Sequence, residues 1–420
     1  MALDWTAVDE SIERLSTRAF GFLAELVAQP STVGSESGAQ DLMVTELERL
    51  GFAVGRQVIP DSVAALPGAG VPQRSYAGRH NVVARRGEGG RPLIVNGHID
   101  VVPADEPQLW SSPPFEPRVD DGWMVGRGAG DMKCGFAMLS LALDALRETA
   151  PEAVSGQLTV VSAIEEEYTG NGTLASVADG VLAEAALLVE PTGLDILIGG
   201  TGVLWFEIMV VGRSSHAESA DRAVNPLEPA LHVIAALRSL EADLNAQIDD
   251  PLLAEAPHPY NLNIGTVRVG DWQSSVPAVA RVGIRLGFPR AWTVEEAQAR
   301  VRRSVTDSTG SHDWLREHPP TLRFNGFLAR GHLLAADQPL VGMVADAHRA
   351  AHGRAAQVTF LATTTDARSY LAAGVPAVCY GPRVRNIHGI DEAVELRSIV
   401  DGARTLARFL VDWFAQEAGT

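Results

Sequence analysis

The sequence predicts an α/β protein in which a domain with a central sheet between helices is interrupted by a smaller α+β unit. Three observations lead there. Short continuous apolar runs alternate with helical patterns early in the chain and again near its end. That alternation is the mark of a sheet covered on both faces. The middle of the chain reads strand, helix, strand, strand, helix, strand, the order of a ferredoxin-like split βαβ unit. Finally, 420 residues exceed what a single core ordinarily holds.

Helical periodicity covers 8–28 and 38–51, separated by the breaker segment QPSTVGSES. Apolar strands are expected at 91–97 (RPLIVNG), 157–164 (QLTVVSAI), 185–190 (AALLVE) and 375–381 (VPAVCYG), with helices at 135–148 and 338–352. The inserted unit has expected strands at 203–212, 261–270, 278–288 and 321–325, and helices at 226–245 and 293–306. Glycine-rich GGTG (199–202) and NGFLARG (325–331) flank it. These flanks divide the chain into a discontinuous first domain, 1–202 with 327–420, and an insert, 203–326.

Composition narrows the function. A 46% hydrophobic and 20% charged chain is an ordinary globular protein. The net charge of −18 argues against nucleic acid and anionic membrane surfaces as partners. No apolar stretch is long enough to span a bilayer. The acidic, amphipathic start MALDWTAVDESIERL is not a secretory signal. Cys134 and Cys379 make no disulfide framework. A cytoplasmic location is expected.

Five motifs carry the chemistry: GHID (97–100), GAGDMK (128–133), EEE (165–167), LLVEPT (187–192) and NIHG (386–389). They supply two histidines and at least three carboxylates, enough for two cations that share a ligand. Zinc accepts this mixture of nitrogen and oxygen donors. Paired ions of this kind activate water against a carbonyl or phosphoryl group. His98, Asp100, the glutamate triplet and Glu190 all fall at the carboxyl ends of expected strands, where open α/β sheets hold ligands. Each motif has an ordinary structural alternative. Asp131 could cap the following helix, EEE could be a solvated run, and His388 could sit on a surface turn. Against this, Glu190 follows the apolar AALLV and needs a partner once buried.

Read in order, GHIDVVP, W..PPFEP, DG..VGRGAGDMK, EEE.TGNG, VEPT, G.SSHA, TTTDAR and GP...NIHG.DE extend over nearly the whole chain. Together they resemble the dinuclear-zinc aminoacylase and carboxypeptidase family, which includes acetylornithine deacetylase, succinyl-diaminopimelate desuccinylase and glutamate carboxypeptidase. The resemblance implies a zinc-peptidase-like catalytic domain with a central mixed sheet, and an inserted lid and dimerisation domain. It implies that His98 and Glu190 hold one divalent ion, Glu167 and His388 the other, and that Asp131 bridges both. Zn2+ is expected, with Co2+ or Mn2+ as alternatives. Within EEE, the family's ligand lies five residues before a glycine. Gly172 therefore selects Glu167 and leaves Glu166 as general base. Asp100 would stand behind His98 and fix its ring. The peptide after Asp131 would be cis.

The resemblance also implies that His216, in GRSSHAE, stabilises the transition state, commonly from across a homodimer interface formed by the insert. Arg285, in VGIRLGFP, would grip a substrate carboxylate, with Arg368 of TTTDAR as a second candidate. The implied reaction is hydrolysis of the amide of an N-acyl amino acid or related amine. Glu166 takes a proton from water and returns it to the leaving amine. A dipeptidase or carboxypeptidase using the same site is the alternative. A noncatalytic metal-binding protein is disfavoured, because every ligand position and the base position hold competent residues. GDWQSSVP and IEEEYTGNG look more like the acetylornithine deacetylase branch. Ser274 and Arg383 depart from the common pattern near the acyl and side-chain pockets, which leaves the substrate open.

Overall fold

The computed structural model describes residues 3–416. A nine-stranded mixed sheet forms its centre. The strand Leu93–His98 runs parallel to Leu158–Ala163 on one side and to Ala185–Leu188 on the other, and Ala377–Cys379 extends this parallel block. Antiparallel His80–Arg86 and Ala53–Val58 finish one edge. Ile196–Gly200, with His332–Leu333 and Val358–Leu361, finishes the other.

Successive side chains on a strand point to opposite faces, and here both faces are apolar. Leu93, Val95, Leu158, Val160 and Leu187 enter a core shared with the helices Trp5–Val27, Lys133–Thr149 and Leu396–Ala415. Ile94, Val161, Ala163, Ala186 and Leu188 enter a second core beneath the helix Ala367–Ala372. The expectation of a doubly covered sheet is met by this alternation. Among the described residues, no helix is long and apolar enough to cross a membrane.

The inserted unit has its own sheet and core. Leu262–Val269, Val279–Phe288, Gly202–Val211 and Thr321–Ala329 lie side by side in that order, all antiparallel. The helices Leu227–Ala246 and Val294–Gly310 pack on this sheet over Phe206, Ile208, Val282, Ile284 and Leu286. A capping box between Thr293 and Glu296 starts the second helix.

Two local features have physical causes. Gly199 and Gly200 of the GGTG flank lie in a strand. A Cβ on Gly200 would meet the Thr363 carbonyl oxygen at 2.0 Å, so close backbone packing accounts for the glycine. A further small sheet, Arg118–Asp120, Trp123–Val125, Ala393–Glu395 and Val384–Arg385, escaped sequence reading. Its strands are too short for any periodicity to register. It joins the segment before Asp131 to the segment around His388.

Candidate metal centre

The site forms where three parallel strands end. His98 closes its strand, Glu165 to Glu167 follow Leu158–Ala163, and Glu190 follows Ala185–Leu188. Asp131 arrives on the loop before the helix Lys133–Thr149. That helix start sits against the strand ends because glycine allows it. A Cβ on Gly135 would lie 1.9 Å from the Val189 carbonyl oxygen, and one on Gly97 would lie 2.6 Å from Met132 Sδ. The Asp131–Met132 peptide is cis, as the resemblance implies. His388 comes from a turn and holds φ at +61°, in the left-handed region that non-glycine residues seldom occupy.

Asp131 stands between the two histidines. Its Oδ1 is 3.1 Å from His98 Nε2, and its Oδ2 is 3.5 Å from His388 Nε2. Glu190 Oε2 lies 3.9 Å from His98 Nε2, and Glu167 Oε1 lies 2.9 Å from His388 Nε2. Ligand atoms of His98, Asp131 and Glu167 all fall within 4.8 Å of one another. The geometry is thus two half-sites, His98 with Glu190 and His388 with Glu167, joined through one carboxylate. Glu166 Oε2 approaches His98 Nε2 at 4.0 Å.

These groups fit a metal better than an ion-pair network. Among the described residues, none of Asp131, Glu166, Glu167 or Glu190 pairs with a lysine or arginine. Glu190 Oε1 is buried without a hydrogen-bond partner. Buried carboxylates left in that condition are costly unless a cation satisfies them. Burial alone would lower the pKa of both rings. Instead Glu190 and then Asp131 raise His98 well above its ordinary value, and Glu167 and then Asp131 raise His388 to about 11. Burial pushes Glu190 up to about 8. It also raises Glu166 well above the carboxylate range, against the pull of His98. Burial acts upward on Asp131 too, but His388 and His98 hold it below its ordinary value. The cluster is a well of negative potential that favours any cation within it.

Each glutamate of the triplet has separate surroundings. Glu165 Oε2 accepts hydrogen bonds from Tyr76 Oη at 2.6 Å and Thr169 Oγ1 at 2.7 Å, while Oε1 pairs with Arg79. It holds the turn with φ at +64° and faces away from the histidines. Glu166 and Glu167 are then free of the strand and reach one site together.

Asp100 departs from expectation in detail. Its backbone carbonyl, not its carboxylate, accepts from His98 Nδ1, at 2.9 Å against 3.8 Å. This still fixes the tautomer that presents Nε2 to the site. The Asp100 carboxylate accepts instead from the backbone N–H of Glu166 and of Glu167, both at 3.1 Å. Its carboxylate thus holds the backbone of the triplet.

Arg368, expected as a second substrate cation, has partners within the chain: its guanidinium donates to the carbonyls of Thr365 at 3.0 Å and Thr169 at 3.1 Å, faces Asp366 at 3.7 Å and lies over the Phe327 ring. Those contacts brace the loop behind the glutamates. Arg285 differs. Among the described residues it has no carboxylate partner, and its one polar contact is Thr363 Oγ1 at 3.4 Å. Burial lowers its pKa, so an anion would be welcome there. His216 stands at the edge of the insert with its side chain 71% exposed, its Nδ1 accepting from Glu218 N–H at 3.1 Å. Within one chain it does not join the metal-type cluster.

Sequence reasoning missed Glu392 and Arg127, a buried ion pair adjoining both Asp131 and His388. It also missed Asp366, a buried carboxylate that faces the Arg368 guanidinium at 3.7 Å. The motifs DG..VGRGAGDMK, GP...NIHG.DE and TTTDAR contain all three residues, but nothing in a run of letters separates a ligand from its support.

Comparison with known proteins places the chain in a family. Residues 94–412 match peptidase family M20/M25/M40. The chain is 32% identical over 390 residues to a succinyl-diaminopimelate desuccinylase of Methylorubrum extorquens, covering 89% of this chain and 93% of that protein. Succinyl-diaminopimelate desuccinylase is among the activities that the family resemblance includes. The fold is similar to that of the di-peptidase Dug1p from Saccharomyces cerevisiae, with a TM-score of 0.82 at 15% identity, covering 99% and 100% of the two chains. It is also similar to Bacillus subtilis YXEP, described as a dinuclear metal-binding peptidase, with a TM-score of 0.60 at 15% identity and 96% and 99% coverage. The chain therefore belongs to peptidase family M20/M25/M40, and it is a metal-dependent hydrolase of amide bonds.

Proposed function

We propose that this enzyme removes the acyl group from an N-acyl amino acid whose far end carries a second carboxylate. One observation carries the metal half of the reading: each oxygen of Asp131 faces a different histidine, at 3.1 and 3.5 Å. On this reading His98, Glu190 and Asp131 hold one divalent ion, and His388, Glu167 and Asp131 hold a second. Zinc fits the donor set, and cobalt or manganese would too. Bound there, the ions would supply an acidified water and polarise the scissile carbonyl.

The chain's own groups do the rest. Glu166, buried and of raised proton affinity, accepts the proton of the attacking water and delivers it to the departing amine. Asp100 holds the backbone of Glu166 and Glu167, so the base and its neighbouring ligand keep their spacing. Arg285, half-buried and, among the described residues, without an acidic partner, suits a substrate carboxylate. The desuccinylase relative supports a dicarboxylic acyl group or a diacid amine.

The insert also supports a homodimer. Leu262–Val269 is an edge strand of its sheet, and Val267 and Trp272 nearby are 52% and 71% exposed. A second copy docked there would place His216 beside the neighbouring active site as a donor to the developing oxyanion. Two free, buried cysteines fit a reducing cytoplasm.

The test is hydrolysis by zinc- or cobalt-loaded protein of N-succinyl-diaminopimelate, N-acetyl amino acids and dipeptides. Preference for the succinyl substrate is expected. Turnover of dipeptides alone would favour a dipeptidase, the reading that the similarity in fold to a di-peptidase supports.

A further inference from the structure

We propose that the buried ion pair Arg127–Glu392 is a positioning device for the metal centre, in which Glu392 fixes the shared Asp131 and Arg127 fixes His388. The His388–Glu167 position then depends on the pair more steeply than the His98–Glu190 position does. The inference rests on the two-ion reading and adds to it the residues that set the affinity of each half.

The geometry is specific. Glu392 Oε1 accepts three backbone N–H groups in succession: Gly128 at 3.0 Å, Gly130 at 2.9 Å and Asp131 at 2.9 Å. Converging N–H groups around one anion form a rigid cradle. Here the cradle ends on the residue that the two half-sites share. The backbone N–H of Gly126 adds a bond to the Glu392 carbonyl at 2.9 Å, so the whole 126–131 segment is wrapped on this one residue. The other Glu392 oxygen pairs with Arg127. The free arm of that guanidinium donates to the His388 carbonyl at 3.2 Å and to the Pro103 carbonyl at 3.4 Å. The Trp110 ring covers the guanidinium at 5.1 Å, and the two residues of the pair are only 2% and 1% exposed.

The pair thus touches the backbone of Asp131 and of His388. His98 and Glu190 receive nothing from it, because the Asp100 carbonyl orients the His98 ring. A role in folding alone would ask less. An apolar pair of equal volume stabilises a core as well as a buried ion pair does. It could not, however, accept three N–H groups immediately before the bridging ligand. His388 also keeps a left-handed backbone on an otherwise exposed turn, and a donor on its carbonyl restrains that geometry.

The experiment uses full-length protein stripped with chelator, then titrated with Co2+ and followed by calorimetry and by the visible cobalt bands. Wild type takes up two ions. Arg127→Lys keeps a charge on Glu392 but lacks the second arm of the fork. Its second ion should bind about 10- to 100-fold more weakly while the first is unaffected, as losses of ligand-supporting partners typically read. Glu392→Gln should weaken both ions, because Asp131 serves both. Equal loss at the two positions in Arg127→Lys, or no loss at either, overturns the proposal.

A wild-type measurement decides the matter if a variant fails to fold. Hydrogen exchange across 126–131 should be slow in the metal-free protein, because the cradle is made of protein alone. Fast exchange that slows only when Co2+ is added would mean that the ion orders the loop, against the proposal. A wild type that takes up no second ion refutes the two-ion reading itself. Two ions in wild type with an unchanged Arg127→Lys refutes only this inference.

Discussion

The metal cleft and the inserted unit solve the problem of burial in opposite ways. The insert is held by apolar side chains, and its buried carboxylate, Glu241, is satisfied by Arg238 at 2.7 Å, His258 at 3.0 Å and the Leu262 N–H at 2.7 Å. The cleft collects Asp131, Glu166, Glu167 and Glu190 with two histidines and, among the described residues, no basic partner. Charge in the insert is balanced within the chain. Charge in the cleft meets, among the described residues, no lysine or arginine, which suits the proposed metal ions. The lesson is that stability and chemistry are separable here, and substitutions should sort accordingly.

Glu166→Gln should give the largest change in turnover. Metal uptake should stay intact while kcat falls by about 10²- to 10⁴-fold, the range for a general acid–base group. An active variant would remove Glu166 from the mechanism. Arg285→Met should come next, raising KM about 10- to 100-fold for the dicarboxylic substrate, in line with a lost charge-assisted hydrogen bond. A substrate without the second carboxylate should lose little. If both substrates suffer equally, the arginine is not reading that group.

Ile208→Ala tests the other side of the comparison. Ile208 is fully buried in the insert, and its truncation should destabilise that unit by about 2–5 kcal/mol. Calorimetric metal titration should remain as in wild type. Coupled loss of both would contradict the separation.

Much of the metal centre was legible because ligand chemistry restricts residue type. Histidine and carboxylate at strand ends, in workable order, are hard to explain otherwise. The choice of Glu167 over its two neighbours came from the position of Gly172 in the resemblance. The structure bears on one of the two neighbours: Glu165 is held by Arg79, Tyr76 and Thr169. What stayed hidden were the supports. Glu392 works by accepting backbone N–H groups, a task that any suitably placed carboxylate performs and that no spacing encodes. Arg368 looked like a substrate cation because a lone arginine in a motif gives no sign that backbone carbonyls occupy it. The expected role of the Asp100 side chain shifted for the same reason, since one residue offers two acceptors. Edge strands such as Ala53–Val58 went unread because their half-exposed pattern resembles a loop.

The smallest expected effect lies in the catalytic domain away from the cleft. His348 is fully buried, with Nδ1 2.8 Å from Tyr380 Oη, and burial followed by the nearby His352 lowers its pKa to about 4. The unfolded chain binds this proton at a higher pH than the folded one. Stability is therefore complete above about pH 6.5 and declines as pH falls toward 4, by at most about 1.4 kcal/mol per pH unit. Denaturant melts of His348→Gln across that window should show a shallower decline than wild type. An identical slope would assign the acid sensitivity to other groups.

The central claim is that His98, Glu190, Asp131, Glu167 and His388 surround two cations. Anomalous diffraction at the zinc edge from a crystal grown with zinc tests it most directly. The account predicts two peaks flanking the Asp131 carboxylate, one beside His98 and Glu190 and one beside His388 and Glu167. A single peak, or two peaks away from Asp131, would contradict it.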